Sequence, residues 1–218
     1  MNLNEYKADY CTSQELEQLF EVFKGDPMEI PVILATFYGM RRSEALGIKW
    51  DYIDFKNKTI SIRHVVTDIY LDGHTIHVAK DKTKNKSSTR TLPLVAPFEQ
   101  ALLQLKEQQL ENQTICGSSY NFNDQCYINV NKIGNLLKPG YLTQHFKIVL
   151  RKHGLREIRF HDLRHSCVSL LYANGVDMKS IQEWLGHSTI ATTANTYIHF
   201  DYNRKNESAN AIIGNYPI

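Results

Sequence analysis

Arginine and histidine recur in this sequence where a helix starts or a loop turns, positions suited to holding an anion. Ala35-Thr-Phe-Tyr-Gly-Met-Arg41-Arg-Ser-Glu44 sets an arginine just past a glycine break, in the first turn of a new helix. A helix N-terminus disfavours cations, so an arginine there has an anion to meet. Glu44, three residues on, is spaced to hold the Arg41 guanidinium, and the plainer reading is a structural Arg41–Glu44 pair on a solvated turn. Arg159-Phe-His161-Asp-Leu-Arg164-His165 repeats the theme. Spacing of three brings His161 and Arg164 to neighbouring faces of one helix start, a proton-transfer group beside a charge-assisted donor. The flank from Lys147 to Arg159 carries Lys147, Arg151, Lys152, Arg156 and Arg159 against Glu157 alone.

A metal centre competes for the same histidines. His161 and His165 are four residues apart, the spacing of two zinc ligands on a helix. The intervening residue of an HExxH pattern is Asp162 here, and Arg164 would put a fixed positive charge beside the ion. No metal site is expected, and His165 reads as a packed or hydrogen-bonded core histidine. Between Lys80 and Arg90 there are five basic residues and one acid. Such a hairpin tip serves solubility, and equally presses a lysine beside a phosphate backbone. Gly186 ends a helix, which puts His187 at a loop tip with its side chain outward. Tyr197 follows ten residues later and stands out from the other tyrosines of the chain's 12 only by lying downstream of these groups.

The elements that carry these residues are mostly helical. Thr12 and Glu15 fit a capping box opening a helix over roughly 13–24, with Leu16, Leu19, Phe20 and Phe23 as its apolar stripe. A more apolar helix runs through Ile30, Ile33, Leu34 and Phe37 to near Gly39, and a short one carries Arg41 to Ile48. From Trp50 to Leu94 the period changes to two: Thr59 to Val66, Asp68 to Leu71 and Thr75 to Val78 alternate, with Asp72-Gly73 as a hairpin turn. Arg90 to Leu94 adds a further strand, giving a small antiparallel sheet of about three strands with one face exposed. Further helices are expected over Phe98–Gln109, Leu142–Lys152, His161–Ala173 and Val176–Leu185, and a polar one from near Tyr202. Residues 111–140 read as a long loop or insertion.

Composition sets the bounds. At 218 residues, 42% hydrophobic and 22% charged, the chain is ordinary globular material able to bury a core. No 18-residue apolar run or secretory signal is present in it. The net charge of +2 neither demands nor forbids a polyanionic partner, so only its distribution speaks. Four scattered cysteines without a CxxC fit reduced thiols of a cytoplasmic protein.

Taken in order, GMRRSEAL, the basic hairpin ending in RTLPL, HDLRH, LGHS and NTYIH resemble the boxes of the tyrosine recombinases, the phage-integrase family. The likeness is greatest to integrases of conjugative transposons and of temperate phages of Gram-positive bacteria. It covers essentially the whole chain, and five ordered boxes are far more specific than any one. The resemblance implies an α+β, mostly helical catalytic fold with a small three-stranded antiparallel sheet. It further implies a single catalytic domain over residues 1–218, without the family's N-terminal core-binding and arm-binding domains, and hence weak, strongly salt-dependent DNA binding.

By the same resemblance, Tyr197 attacks a DNA phosphodiester to give a 3′-phosphotyrosine. Arg41 and Arg164 grip the non-bridging oxygens, His161 takes or holds the tyrosine proton, and His187 bonds the phosphate. A hairpin lysine protonates the leaving 5′-oxygen. The family's lysine precedes the strand proline by about nine residues, which from Pro93 gives Lys84, with Lys82 or Lys86 fitting a different turn length. Lys82, Lys86, Arg90, Arg156 and Arg159 are expected to contact DNA. The implied partners are double-stranded DNA at recombination sites, three further copies of the chain on it, and an accessory excision factor, with no membrane. No metal or other cofactor is called for. The rival readings are a non-cleaving DNA-binding module on the same fold, and a metal-dependent hydrolase built on His161, His165 and His187.

Overall fold

The computed structural model describes residues 10–72, 74–81 and 89–187. Helix α1 (Ser13–Phe23) opens on the expected capping box: Thr12 accepts from the Glu15 amide, and the Glu15 carboxylate accepts from the Thr12 amide. Its stripe buries Leu16, Leu19 and Phe23, while Phe20 is left exposed. Helix α2 (Glu29–Thr36) is apolar all round because it lies between two cores. Val32 and Ala35 join Phe23, Leu46, Phe146 and Leu163 on one side, and Ile30 and Leu34 join Ile48, Ile60, Phe98 and Leu102 on the other. In the first core the Phe23 and Phe146 rings stack at 5.4 Å. Helix α3 (Arg42–Leu46) follows directly.

The strands are β1 (Ile53–Asp54), β2 (Thr59–Ile62), β3 (His64–Leu71), β4 (His74–Asp81) and β5 (Arg90–Pro93). An antiparallel three-stranded sheet has the order β1-β2-β5, and β3 pairs with β4 in a separate antiparallel ribbon of eight residue pairs. The single alternating run from Thr59 to Val66 is therefore two strands, divided at Arg63. Period-two alternation continues through the break, so the pattern carries no mark of the change of sheet.

Helix α4 runs over Ala96–Cys116, seven residues past the expected end, because the sequence has no breaker before Gly117. The stretch expected to be a loop also holds two 3-10 turns, at Gly117–Ser119 and Phe122–Asp124. An isolated bridge from Lys49 to Tyr127 stitches it to the body, and a second, Val130 to Leu136, closes it on itself. Helices α5 (Pro139–Lys152), α6 (Asp162–Ala173) and α7 (Met178–Leu185) complete the described chain, with α6 packed on α2 and on α7. The hairpin lysines Lys82, Lys84 and Lys86, together with Tyr197 and the helix expected near Tyr202, lie outside the described residues. Among the described residues no helix is long and apolar enough to cross a membrane.

Candidate active site

The site begins with a sharp turn between α2 and α3. Gly39 has φ +61, a left-handed conformation that glycine adopts without steric cost, and a Cβ there would lie 2.3 Å from Leu185 Cδ2. Close packing of this turn against α6 and α7 delivers Arg41 to the N-cap of α3. Glu44, at the third helical position, accepts from the Arg41 amide and from its guanidinium, both at 3.0 Å. The anion that Arg41 was expected to meet is, within this chain, Glu44 itself.

Glu44 is only 1% exposed, so the carboxylate of the pair is buried, while the Arg41 side chain stays open to solvent. Arg90 reaches the same carboxylate with both terminal nitrogens, at 3.1 and 3.4 Å, and Arg164 Nη1 is 4.0 Å from Oε2. Three guanidinium groups thus share one buried carboxylate, and positive charge is in excess. Arg90 was expected on the DNA face. The structure places it inside, where it shares the inward face of β5 with Leu92. The signal was available: period two in Arg90-Thr-Leu-Pro-Leu puts the arginine with the leucines. Sequence reasoning linked Glu44 to Arg41 and missed its two further partners, because both are fixed by tertiary packing.

Arg164 sits in the first turn of α6 and donates to the carbonyls of Gly39 and Leu185, which ties all three segments together. Burial, then the neighbouring Arg41, lower its pKa to about 9, which leaves it a cation at neutral pH. Asp162, beside it, is buried and accepts the Arg159 amide at 2.8 Å and the Arg159 guanidinium at 2.8 and 3.2 Å. Arg156 binds Glu15 at 2.7 Å and the Tyr10 carbonyl at 2.8 Å. Arg156 and Arg159, like Arg90 expected on DNA, are therefore engaged within the chain, on side chains that remain partly exposed.

His161 occupies the N-cap of α6, exposed on one side. The covered part of its ring, then His165 and Arg164, hold its pKa down to about 4. The His165 ring meets it edge-on at 5.3 Å and is half-buried, so it is a neighbour of the site and not an interior residue. Gly186 ends α7 in a left-handed conformation (φ +65) and turns the chain back. His187 is consequently half-buried and does not point outward as expected. Burial, then Arg164, Arg41 and Arg90, lower its pKa to about 4. Both imidazoles are thus neutral near pH 7: each can accept a proton and neither adds charge to the arginines. Among the described residues no three His, Cys, Asp or Glu side chains gather as a metal ion would require. The arrangement brings Arg41, His161, Arg164 and His187 into one electropositive cluster that suits a tetrahedral or pentavalent oxyanion.

The chain matches the family described as "Phage integrase family" over residues 9–204. It is 28% identical over 200 residues to a protein of Caldanaerobacter subterraneus subsp. tengcongensis named "Tyrosine recombinase XerC-like", covering 89% of this chain and 51% of that one. It is also 28% identical over 216 residues to the ICEBs1 integrase of Bacillus subtilis, covering 96% of this chain and 55% of the relative. The chain spans about half the length of the curated relatives it matches. Among solved structures it resembles the Tn1549 transposon integrase in complex with transposon right end DNA. The TM-score is 0.77 at 19% identity, covering 97% of this chain and 69% of that chain, a likeness of fold.

Proposed function

This chain belongs to the phage integrase family, and on that premise we propose that it cleaves and rejoins duplex DNA at specific sites to move a mobile element. The observation that carries the reading is the convergence of Arg41 and Arg164 on Glu44, with His187 beside them and His161 beside Arg164. A phosphodiester passing to a pentavalent transition state gathers negative charge on its non-bridging oxygens. Fork-shaped guanidinium groups meet that charge better than ammonium groups do.

Tyr197 is the proposed nucleophile. Its phenol, with an ordinary pKa of about 10, needs a base or a strong positive field to attack near neutrality. Neutral His161 accepts the phenolic proton as the oxygen–phosphorus bond forms, while His187 bonds a phosphate oxygen. The bond to the 5′-oxygen breaks, and a lysine of the basic hairpin, Lys84 in our assignment, gives that oxygen its proton. The products are a 3′-phosphotyrosine and a free 5′-hydroxyl. Attack by a 5′-hydroxyl from another strand reverses the step and rejoins DNA. The phosphotyrosine keeps the phosphodiester energy, so the scheme calls on neither ATP nor a metal ion. Residues 1–218 act as one catalytic unit in this reading, with copies of the chain meeting on duplex DNA, and an accessory factor setting the direction.

The test is a nicked suicide duplex bearing the element's terminal sequence, end-labelled, incubated in EDTA and run on a denaturing gel beside Tyr197→Phe. A slow-migrating, protease-sensitive band with tyrosine alone is expected. Intact DNA binding without that band would replace this reading with a non-cleaving DNA-binding module.

A further inference from the structure

Both ends of the basic segment between β4 and β5 are tied to buried groups, and only one of these ties involves the arginine cluster. At the β5 end the tie is Arg90 on Glu44. At the β4 end, Asp81 Oδ1 lies 2.6 Å from Nδ1 of His64, its cross-strand partner, and His64 Nε2 lies 3.0 Å from the Tyr127 hydroxyl. His64 is 5% exposed and Tyr127 7% exposed. Both ring nitrogens are thus engaged, Nδ1 by the carboxylate and Nε2 by the Tyr127 hydroxyl, which fixes the orientation of the ring. Burial pushes the Tyr127 phenol up to about 12, which keeps its proton available for donation.

The same histidine backbone abuts α3. A Cβ on Gly47, the C-cap of α3, would come 2.4 Å from the His64 carbonyl oxygen, so only glycine allows the approach. Tyr127 is in turn bridged to Lys49, two residues beyond Gly47. The root of the ribbon is therefore clamped to the helix that carries Glu44 and follows Arg41. Simple filling of the core does not account for the third member: the Asp81 side chain is 68% exposed, at the last described position before the lysines. Core packing has no use for a solvent-facing carboxylate, whereas anchorage of the strand end does.

We propose that His64, with Asp81 and Tyr127, is a positioning group that sets where the lysine-bearing segment starts relative to the Arg41–Arg164 cluster, and so governs protonation of the leaving oxygen. This rests on the recombinase reading. It separates two tasks: the arginines stabilise the phosphorane, and the His64 clamp serves the leaving group alone.

The experiment compares two suicide duplexes, one with the natural 5′-oxygen and one with sulfur at that bridging atom. A thiol has a pKa of about 8.5, so the sulfur leaves as a thiolate when the phosphorus–sulfur bond breaks and needs no proton from lysine. Asp81→Ala and His64→Gln are expected to form the covalent adduct about 10–100-fold more slowly than the unaltered chain on the oxygen duplex. On the sulfur duplex they should match it, with DNA affinity unchanged. The combined Lys82→Ala, Lys84→Ala, Lys86→Ala variant should show the same rescue. Asp81 is exposed, so Asp81→Ala tests the idea even if His64→Gln fails to fold. Equal slowing on both duplexes, or no slowing on oxygen, overturns the inference. Failure of the unaltered chain on both overturns the recombinase reading, and this inference with it.

Discussion

Replacing Glu44 with glutamine removes one charge and almost no volume, so its effect reports the electrostatics of the cluster. Three guanidinium groups converge on that carboxylate, and they do not depend on it equally. Arg41 is 40% exposed, so water can take over much of its share. Arg164 keeps the carbonyls of Gly39 and Leu185 as acceptors. Arg90, with 6% side-chain exposure and a buried Nε that has no acceptor among the described residues, relies on Glu44. Breaking a buried pair from one side costs about 3–5 kcal/mol, and the retained amide oxygen argues for the lower end. For a chain of this size ~3 kcal/mol lowers the melting temperature by about 6–12 °C. Thermal unfolding followed by circular dichroism measures it directly. Adding Arg90→Met should then recover part of the loss, because it removes the stranded buried charge, with a coupling of about 1–3 kcal/mol. A fall below about 2 °C, or strictly additive variants, would show that the trio behaves as an exposed ion pair and would refute the reasoning.

Three further outcomes follow from the geometry. Arg164→Lys keeps the charge but cannot bond two carbonyls and fork a phosphate together, so adduct formation should fall about 10²–10³-fold with the fold intact; an unchanged rate on the denaturing gel would remove Arg164 from the site. Gly39→Ala should cost about 2–4 kcal/mol in urea unfolding, since the Cβ meets Leu185 and the backbone is left-handed; a neutral result would mean the turn can relax. His161 and His187 have folded pKa values of about 4, below the 6.5 of the free side chain, so the unfolded chain binds more protons between those values. Stability should therefore be full above pH 6.5 and decline as pH falls towards 4, with a shallower decline in His187→Gln; a melting temperature flat across that window would contradict the two shifts.

The parts of this molecule legible in its sequence are those governed by local rules. The α1 capping box, the β3–β4 hairpin that pairs Leu71 with His74 and the αL cap at Gly186 depend on neighbours within a few residues, and each lies where its residue types call for it. The order of the arginine and histidine boxes was legible too. What sequence could not supply is direction. His187 follows a helix-ending glycine whether it faces solvent or the arginines, and only the packing of α7 on α6 decides. Arg90 carries a mark of charge that suggested a DNA contact and a mark of alternation that placed it inside, and the second prevailed because a buried carboxylate was waiting 46 residues upstream. The division at Arg63 escaped detection because two strands of different sheets share one phase.

The ties between early and late chain span long stretches: Arg164 to Gly39, within the cluster, over 125 residues, Arg156 to Glu15 over 141, and Cys11 to Ser166 over 155. During synthesis, Arg41 and Glu44 leave the ribosome long before α6 exists. A growing chain therefore carries Arg41 and Glu44 without Arg164 and acquires the rest of the cluster only as α6 and α7 emerge. Translation order thus delays closure of the arginine cluster until α6 and α7 have left the ribosome.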